Sequence, residues 1–271
     1  MNAASRARIL VLLEKELREL FAARMLLASV ILVPLLLGGV ALTMGWAAGE
    51  VSETTQHDPH DLEELRQIMG DRIAHVTDLR DALELYVGEM GLLVILLLPA
   101  LLPPILAAQT LVREKQSRSL ETLLVTPLRT WEIVLAKVIF CAGLGVIPEW
   151  IVASIYYALI GSRCSAVALA SLASPGWIVM LAIGTPLVAV LGVGLGVAVS
   201  SRAKDAQTAQ QIAGMVVLPI VGLLIMQSLG VTSLGGLGAL VFVGAVAIAD
   251  TVVLALAISL FERETVVTGW K

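Results

Sequence analysis

An all-α polytopic membrane protein is the fold class predicted by three observations in the sequence. Apolar residues make up 58% of the 271-residue chain against 15% charged, with a mean hydropathy of +0.92. Long uncharged runs recur along it, and a helix needs only roughly 20 such residues to cross the hydrocarbon core. Lys and Arg gather in alternate connections between those runs. Soluble domains carry about a quarter charged residues, so a pair of ordinary globular domains is excluded, and disorder with it. A net charge of −4 with dispersed basic residues excludes a nucleic-acid groove.

The elements follow in chain order. Within residues 5–24, Ile9, Leu13, Leu17 and Leu20 share one helical stripe, and Glu14, Lys15, Arg18 and Glu19 share another. That pattern predicts an amphipathic helix in the inner membrane interface over 1–24, ahead of a six-span domain at 25–271. Met25 to Trp46 gives the first span, 25–46. Ala47-Ala48 imitates a leader cleavage site, but the apolar run is too long for a signal peptide's core and the segment before it is itself patterned. Met90 to Val112 gives the second span, 89–112. The third, 132–160, holds Lys137 near one end and Glu149 after Pro148 in its middle, and its length fits a span with a proline break. Ser174-Pro175-Gly176 opens the fourth, 176–200. The run from Ala206 past Asp250 to Phe261 is too long for one crossing. Ser228, Gly230, Ser233, Gly235 and Gly236 supply a turn, so it is read as spans 211–229 and 236–261.

Orientation comes from counting Lys and Arg by side. One side collects Arg6, Arg8, Lys15, Arg18, Arg24, Arg113, Lys115, Arg118, Arg129, Arg202, Lys204, Arg263 and Lys271, with Lys137 at its membrane edge. The other holds Arg66, Arg72, Arg80 and Arg163. The rich side is cytoplasmic, which puts both termini of this chain inside. The two cysteines, Cys141 in the third span and Cys164 in an outer connection, lie beyond a disulfide's reach of each other.

The outer loop at 47–88 carries ten acids against three arginines. Leu62, Leu65, Met69, Ile73, Val76, Leu79 and Leu83 recur there at spacings of three and four, with Asp61 as a plausible N-cap. The prediction is one two-sided helix whose apolar face needs cover from the membrane surface, the bundle or a second protomer. All three histidines, His57, His60 and His75, sit in this loop. His57-Asp58-Pro59-His60-Asp61 has the residue types and spacing of a transition-metal site. A polar loop turn, to which Pro59 points, accounts for it better, so no metal is assigned.

Between the second and third spans the chain reads Arg113-Glu114-Lys115, then Ser119-Leu120-Glu121-Thr122-Leu123-Leu124-Val125-Thr126-Pro127. Ser119 caps a helix with Glu121 at its positive end, Leu120, Leu123 and Leu124 form an apolar face, and Pro127 forbids a long continuation. A two-turn helix results, shaped to enter a groove of a soluble partner. Trp131-Glu132-Ile133 and Lys137 follow, then Ser200-Ser201-Arg202-Ala203-Lys204 with Ala206-Gln207, and finally Phe261-Glu262-Arg263-Glu264. On these residues the sequence resembles the type-2 ABC transporter permease family, the membrane subunits of many ATP-driven exporters. The resemblance implies that 119–126 is a cytoplasmic coupling helix docking on a separate ABC ATP-binding subunit, flanked by Arg113, Glu114 and Lys115. It implies two permease copies, identical or paired, with two ATPases. The 47–88 loop is longer and more acidic than the short loop of many small members.

No Gly-x-x-x-x-Gly-Lys-[Ser/Thr] phosphate loop occurs in the sequence. The chain is therefore expected to be non-catalytic, to hold no cofactor of its own, and to leave ATP and Mg to the partner ATPase. Glu149 and Asp250 are the two acids expected at depth, each about halfway along its span. They read as a substrate or ion site near the midplane, or as structural acids, with Glu149 helped by a helix restarting after Pro148. An ion-coupled secondary transporter or channel using them without ATP is the alternative. An intramembrane enzyme lacks any support, since no paired Ser/His and no His-Glu-x-x-His is present. Gly192 and Gly196 form a small-xxx-small pair for helix packing. Trp150, Tyr156 and Tyr157 are expected in an outer aromatic belt.

Overall fold

The computed structural model describes residues 3–54, 63, 65–67, 69–73, 76–116, 130–202 and 236–260, with 211, 214, 218, 221, 222, 225 and 226. The principal helices are α1 (Ala3–Ala22), α2 (Arg24–Thr54), α3 (Leu79–Gln116), α4 (Thr130–Arg163), α5 (Ala166–Leu172), α6 (Pro175–Val179), α7 (Thr185–Arg202) and α8 (Leu237–Leu260). A π-helical turn, Met180–Gly184, joins α6 to α7, so 175–202 is one helical body. Among the described residues, five helices are long and apolar enough to cross a membrane: α2, α3, α4, α6 through α7, and α8.

Packing contacts fix the directions of these helices. A Cβ built on Gly38 would meet Val152 Cγ2 at 2.9 Å and one on Gly49 would meet Arg163 Cβ at 2.8 Å, so α2 and α4 run parallel. Gly145 of α4 seats against Pro103 of α3, while Gly91 of α3 seats against Tyr156 of α4, so these two are antiparallel. Gly192 and Gly196 of α7 abut Pro104 and Ala107 of α3, which makes α3 and α7 parallel. The small pair thus packs directly against a proline of α3, a close helix approach that small residues permit. Gly194, on another face, abuts Val253 of α8, ten residues beyond the Gly184–Val243 contact on both helices. α7 and α8 are therefore also parallel.

α3 is the centre of the bundle, touching α2, α4 and α7. Of its most apolar window 72% is buried, against 17% for α2 and α8, which stand at the periphery. The core divides along the bundle axis. One cluster at the α1 end joins Ile9, Leu12 and Leu20 to Leu106, Leu111, Ile133, Val146 and Val197. A second at the opposite end joins Leu65, Met69, Ile73 and Val76 to Leu85, Leu92, Ala153, Tyr156 and Trp177. A small third cluster, Ala100, Val188 and Val246, lies between them.

Four expectations change. The predicted loop helix is broken: residues 63, 65–67 and 69 are helical, Gly70 turns the chain at φ +58°, and Gly70–Ile73 is a 3₁₀ turn. Only glycine holds that left-handed backbone without strain. Leu79 and Leu83 belong instead to α3, which starts ten residues before the predicted span. The apolar face of the loop is covered by the bundle's own end. Second, α4 runs through Pro148 without a break, so no helix restarts there and Glu149 gains no helix N-terminus. A proline removes one backbone bond, and packing on α2, α3 and α7 carries the helix across it. Third, α1 buries Ile9, Leu12, Glu16 and Leu20 and leaves Leu17 45% exposed, one position round from the predicted stripe. Fourth, the belt aromatics are inter-helix ties. Tyr156 Oη donates to Gly88 O at 2.7 Å, Tyr157 Oη to Leu172 O at 3.0 Å, and Trp150 Nε1 to Leu181 O at 2.9 Å.

Candidate functional site

Functional chemistry falls at three levels along the bundle. At the α1 end, Lys137 Nζ of α4 donates to Glu16 Oε1 of α1 at 2.7 Å, with both side chains almost fully buried. One α4 turn earlier, the wholly buried Glu132 accepts from Arg8 at 3.5 Å. Glu132 sits in the first turn of α4, where the helix dipole also favours an acid. Lys15 backs the pair from outside, 3.9 Å from Glu16 and 3.2 Å from Glu19. Two cross-helix ion pairs therefore bolt α1 to α4, the Lys137–Glu16 pair fully buried and the Arg8–Glu132 pair with its guanidinium partly exposed. The signal in the sequence was Glu16 itself, an acid at helical spacing within an apolar stripe, and Lys137 set inside an apolar run.

The second level is the waist between the two core clusters. Glu149 has no exposure, and Val146 of one cluster and Ala153 of the other flank it on α4. Neither of its carboxyl oxygens has a hydrogen-bond partner among the described residues. The polar side chain nearest to it in interaction is Thr185, whose hydroxyl is already committed to Leu181 O at 2.7 Å. Leu181 O also receives Trp150 Nε1, so that carbonyl takes two side-chain donors. The π-turn creates this arrangement: the Thr185 N–H reaches back to Met180 O, five residues earlier, and displaces the normal ladder. Thr185-Pro186 within an apolar run was its visible trace, since Pro186 has no N–H to offer the ladder.

Asp250 of α8 is also buried with both oxygens unpartnered among the described residues. It does not share a level with Glu149. By the Gly184–Val243 and Gly194–Val253 contacts, Asp250 stands opposite residue 191 of α7, whereas Glu149 faces 181–185. At 1.5 Å per residue the two acids are offset by about 12 Å along the axis.

At the third level, the end away from α1, Glu84 is fully buried yet satisfied, accepting from Arg80 Nε at 3.0 Å and from the Ser165 N–H at 2.6 Å. Arg163 pairs with Glu50 and lies 5.3 Å over the Trp46 ring, tying the ends of α2 and α4. Burial pushes the Cys164 thiol up to about 11, with Glu84 adding to the effect and Arg163 and Arg80 opposing it. Since the thiolate is the nucleophile, an impermeant maleimide is expected to label Cys164 slowly near neutral pH. The rate should rise about tenfold per pH unit. Fast labelling at pH 7, unchanged at pH 9, would contradict that environment.

Of the other predicted residues, Arg113 is exposed near the end of α3, and Glu114 and Lys115 continue that helix. Ser119, Leu120, Glu121, Leu123, Leu124, Thr126 and Pro127 lie outside the described residues, as do His57, His60 and His75.

Five apolar crossings around a polar waist define the class: an integral membrane permease. The family model described as ABC-2 family transporter protein matches residues 10–240, from α1 into α8. The chain belongs to that family. No curated protein matches the sequence.

Proposed function

We propose that this chain is the permease subunit of an ATP-driven export system in a prokaryotic cytoplasmic membrane, energised by a separate ABC ATP-binding subunit. The observation that carries the reading is the position of the connection between α3 and α4. It leaves α3 at Gln116 and re-enters at Thr130, at the bundle end where α1 is bolted to α4. By the Lys and Arg count that end faces the cytoplasm. A partner gripping a coupling helix at 119–126 would move the ends of α3 and α4 together, and α1 would follow through Glu16–Lys137. Arg113, Glu114, Lys115, Ser119, Leu120, Glu121, Leu123, Leu124, Thr126 and Pro127 are the docking residues of this reading. Different contacts with the ATP-bound and ATP-free partner would then shift the permease between states, with ATP and Mg held by the partner.

The parallel packing of α7 and α8 supports a reading of six spans. Two consecutive parallel helices need a return crossing between them, and residues 203–236, helical at each of the seven described positions from 211 to 226, have the length for it. An even count puts both termini of this chain inside, with α1 in the inner interface. A second permease copy completes the transporter, and the exposed apolar faces of α2 and α8, including Ile31, Leu35, Val241 and Ile248, are available for lipid or that copy. Glu149 and Asp250 mark two successive levels of the pathway.

The test is Leu123→Asp with Leu124→Asp. Two charges on an apolar docking face should abolish co-purification of an ATPase and remove transport. The unpartnered acids Glu149 and Asp250 favour one second reading, an ion-coupled transporter without ATP. Under it the same double variant would leave transport intact.

A further inference from the structure

We propose that Glu149 is a proton-binding site, occupied by a proton while α4 is closed on α7, and that loss of this proton opens the seam formed by Trp150 and the π-turn. The inference names the ligand of the waist in the transport reading given above. It does not depend on the identity of the ATPase.

Geometry selects the proton. A carboxylate with no exposure, no hydrogen bond and no counter-ion among the described residues is a very costly charge to hold in hydrocarbon. The described elements packed on α4 offer it none. The charged residues of α2, Arg24, Glu50 and Glu53, are near its ends. On α3 the nearest acid is Glu89, whose level is set by the Gly91–Tyr156 contact, about 14 Å toward the far end. α7 carries only Arg202, at its last residue, and α8 only Asp250, about 12 Å in the other direction. α1 meets α4 at Glu132 and Lys137, three or more turns away, and α5 has no charge. On α4 itself, Cys141, Tyr156 and Tyr157 lie about two turns off in either direction.

A metal cation would fit poorly. Hard cations take six or more oxygens, and Thr185 is the one polar side chain among the described residues found interacting with the carboxyl. The Leu181 carbonyl is already accepting from Trp150 and Thr185. A proton needs one oxygen.

The step is a single proton transfer, from the Glu149 carboxyl to water, and no other bond changes. A carboxylate left behind must be hydrated. The surface with least to lose is the α4–α7 seam, because its polar contacts converge on one carbonyl of an already irregular helical turn. Glu149 is adjacent in sequence to Trp150, whose Nε1–H bridges that seam, so the indole reports its opening. Protonation thus sets whether the waist is sealed or wet, independently of what the cytoplasmic end is doing.

The experiment uses the purified full chain in lipid nanodiscs. Infrared spectroscopy at neutral pH should show a carboxylic-acid C=O stretch in the native protein that Glu149→Gln loses and Asp250→Asn retains. Glu149→Asp, which keeps the acid, should shift the band. Raising the pH should remove the band together with a change in tryptophan emission that is lost in both Glu149→Gln and Trp150→Phe. An ionised Glu149 at neutral pH, seen as identical acid bands in native and Glu149→Gln protein, would overturn the proposal. So would an emission change that persists in Glu149→Gln, or a band that responds to added NaCl or CaCl₂ instead of pH. Failure of Leu123→Asp with Leu124→Asp to release an ATPase would count against the export reading and leave this result standing.

Discussion

Lys137→Ala is expected to destabilise the protein by about 3–5 kcal/mol, because it leaves Glu16 as a buried charge without its partner. The side chains of Lys137 and Glu16 are 2% and 5% exposed, so water cannot replace the lost ammonium. Lys15, 3.9 Å from the same oxygen, is too far for a hydrogen bond and already engages Glu19. Glu16→Ala should also destabilise, because it takes the carboxylate away from the buried Lys137 ammonium. Replacing both with methionine removes the desolvated pair altogether and is expected to be far milder than either single change. The exchanged pair, Glu16→Lys with Lys137→Glu, should recover part of the loss. Apparent Tm in detergent reads the stability, and limited proteolysis reads the release of α1. Equal stability of Lys137→Ala and native protein, or additive effects in the methionine pair, would mean the contact does not hold α1 to α4.

The same pair shows what the sequence exposed and what it concealed. Periodicity is a local property, and it delivered α2, α3, α4, α7 and α8 because each crossing needs its own apolar run. The partner of Lys137 lies 121 residues away, so a local pattern could show a lysine at a membrane edge and nothing of what it meets. Leu and Val recur on nearly every side of α1, at Leu10, Val11, Leu12, Leu13 and Leu17. Several stripes were therefore equally apolar, and the buried one was chosen by where α4 presents Lys137. Residues 79–88 looked like loop because Arg80, Asp81 and Glu84 are charged. Yet Glu84 is fully buried, with Arg80 and the Ser165 N–H satisfying it. Fractional position along a span placed Glu149 and Asp250 side by side, whereas inter-helix register separates them by about two turns. Depth is legible in a sequence; level relative to a neighbouring helix is not.

Tyr156→Ala should be the other severe change. Tyr156 is the largest fully buried side chain among the described residues, and it occupies the space where α2, α3 and α4 meet. Gly45 and Gly91 line that space, and a Cβ on either would fall 2.7 Å from a ring carbon of Tyr156. With no side chain at either glycine to move into the gap, the cavity stays open, and truncations of this kind cost about 3–5 kcal/mol. Tyr156→Phe keeps the ring and removes only the bond to Gly88 O. Gly88 lies in the interior of α3, where its carbonyl also has the helix ladder as a partner. The loss should therefore be close to a typical net hydrogen bond, about 1 kcal/mol. Gly91→Ala forces a methyl against a rigid ring and should cost about 1–3 kcal/mol, and less when combined with Tyr156→Phe, because the hydroxyl it strikes first is gone. If Tyr156→Phe proved as damaging as Tyr156→Ala, the hydroxyl rather than the ring would be what joins the three helices, and the close glycine seats at 45 and 91 would need another cause.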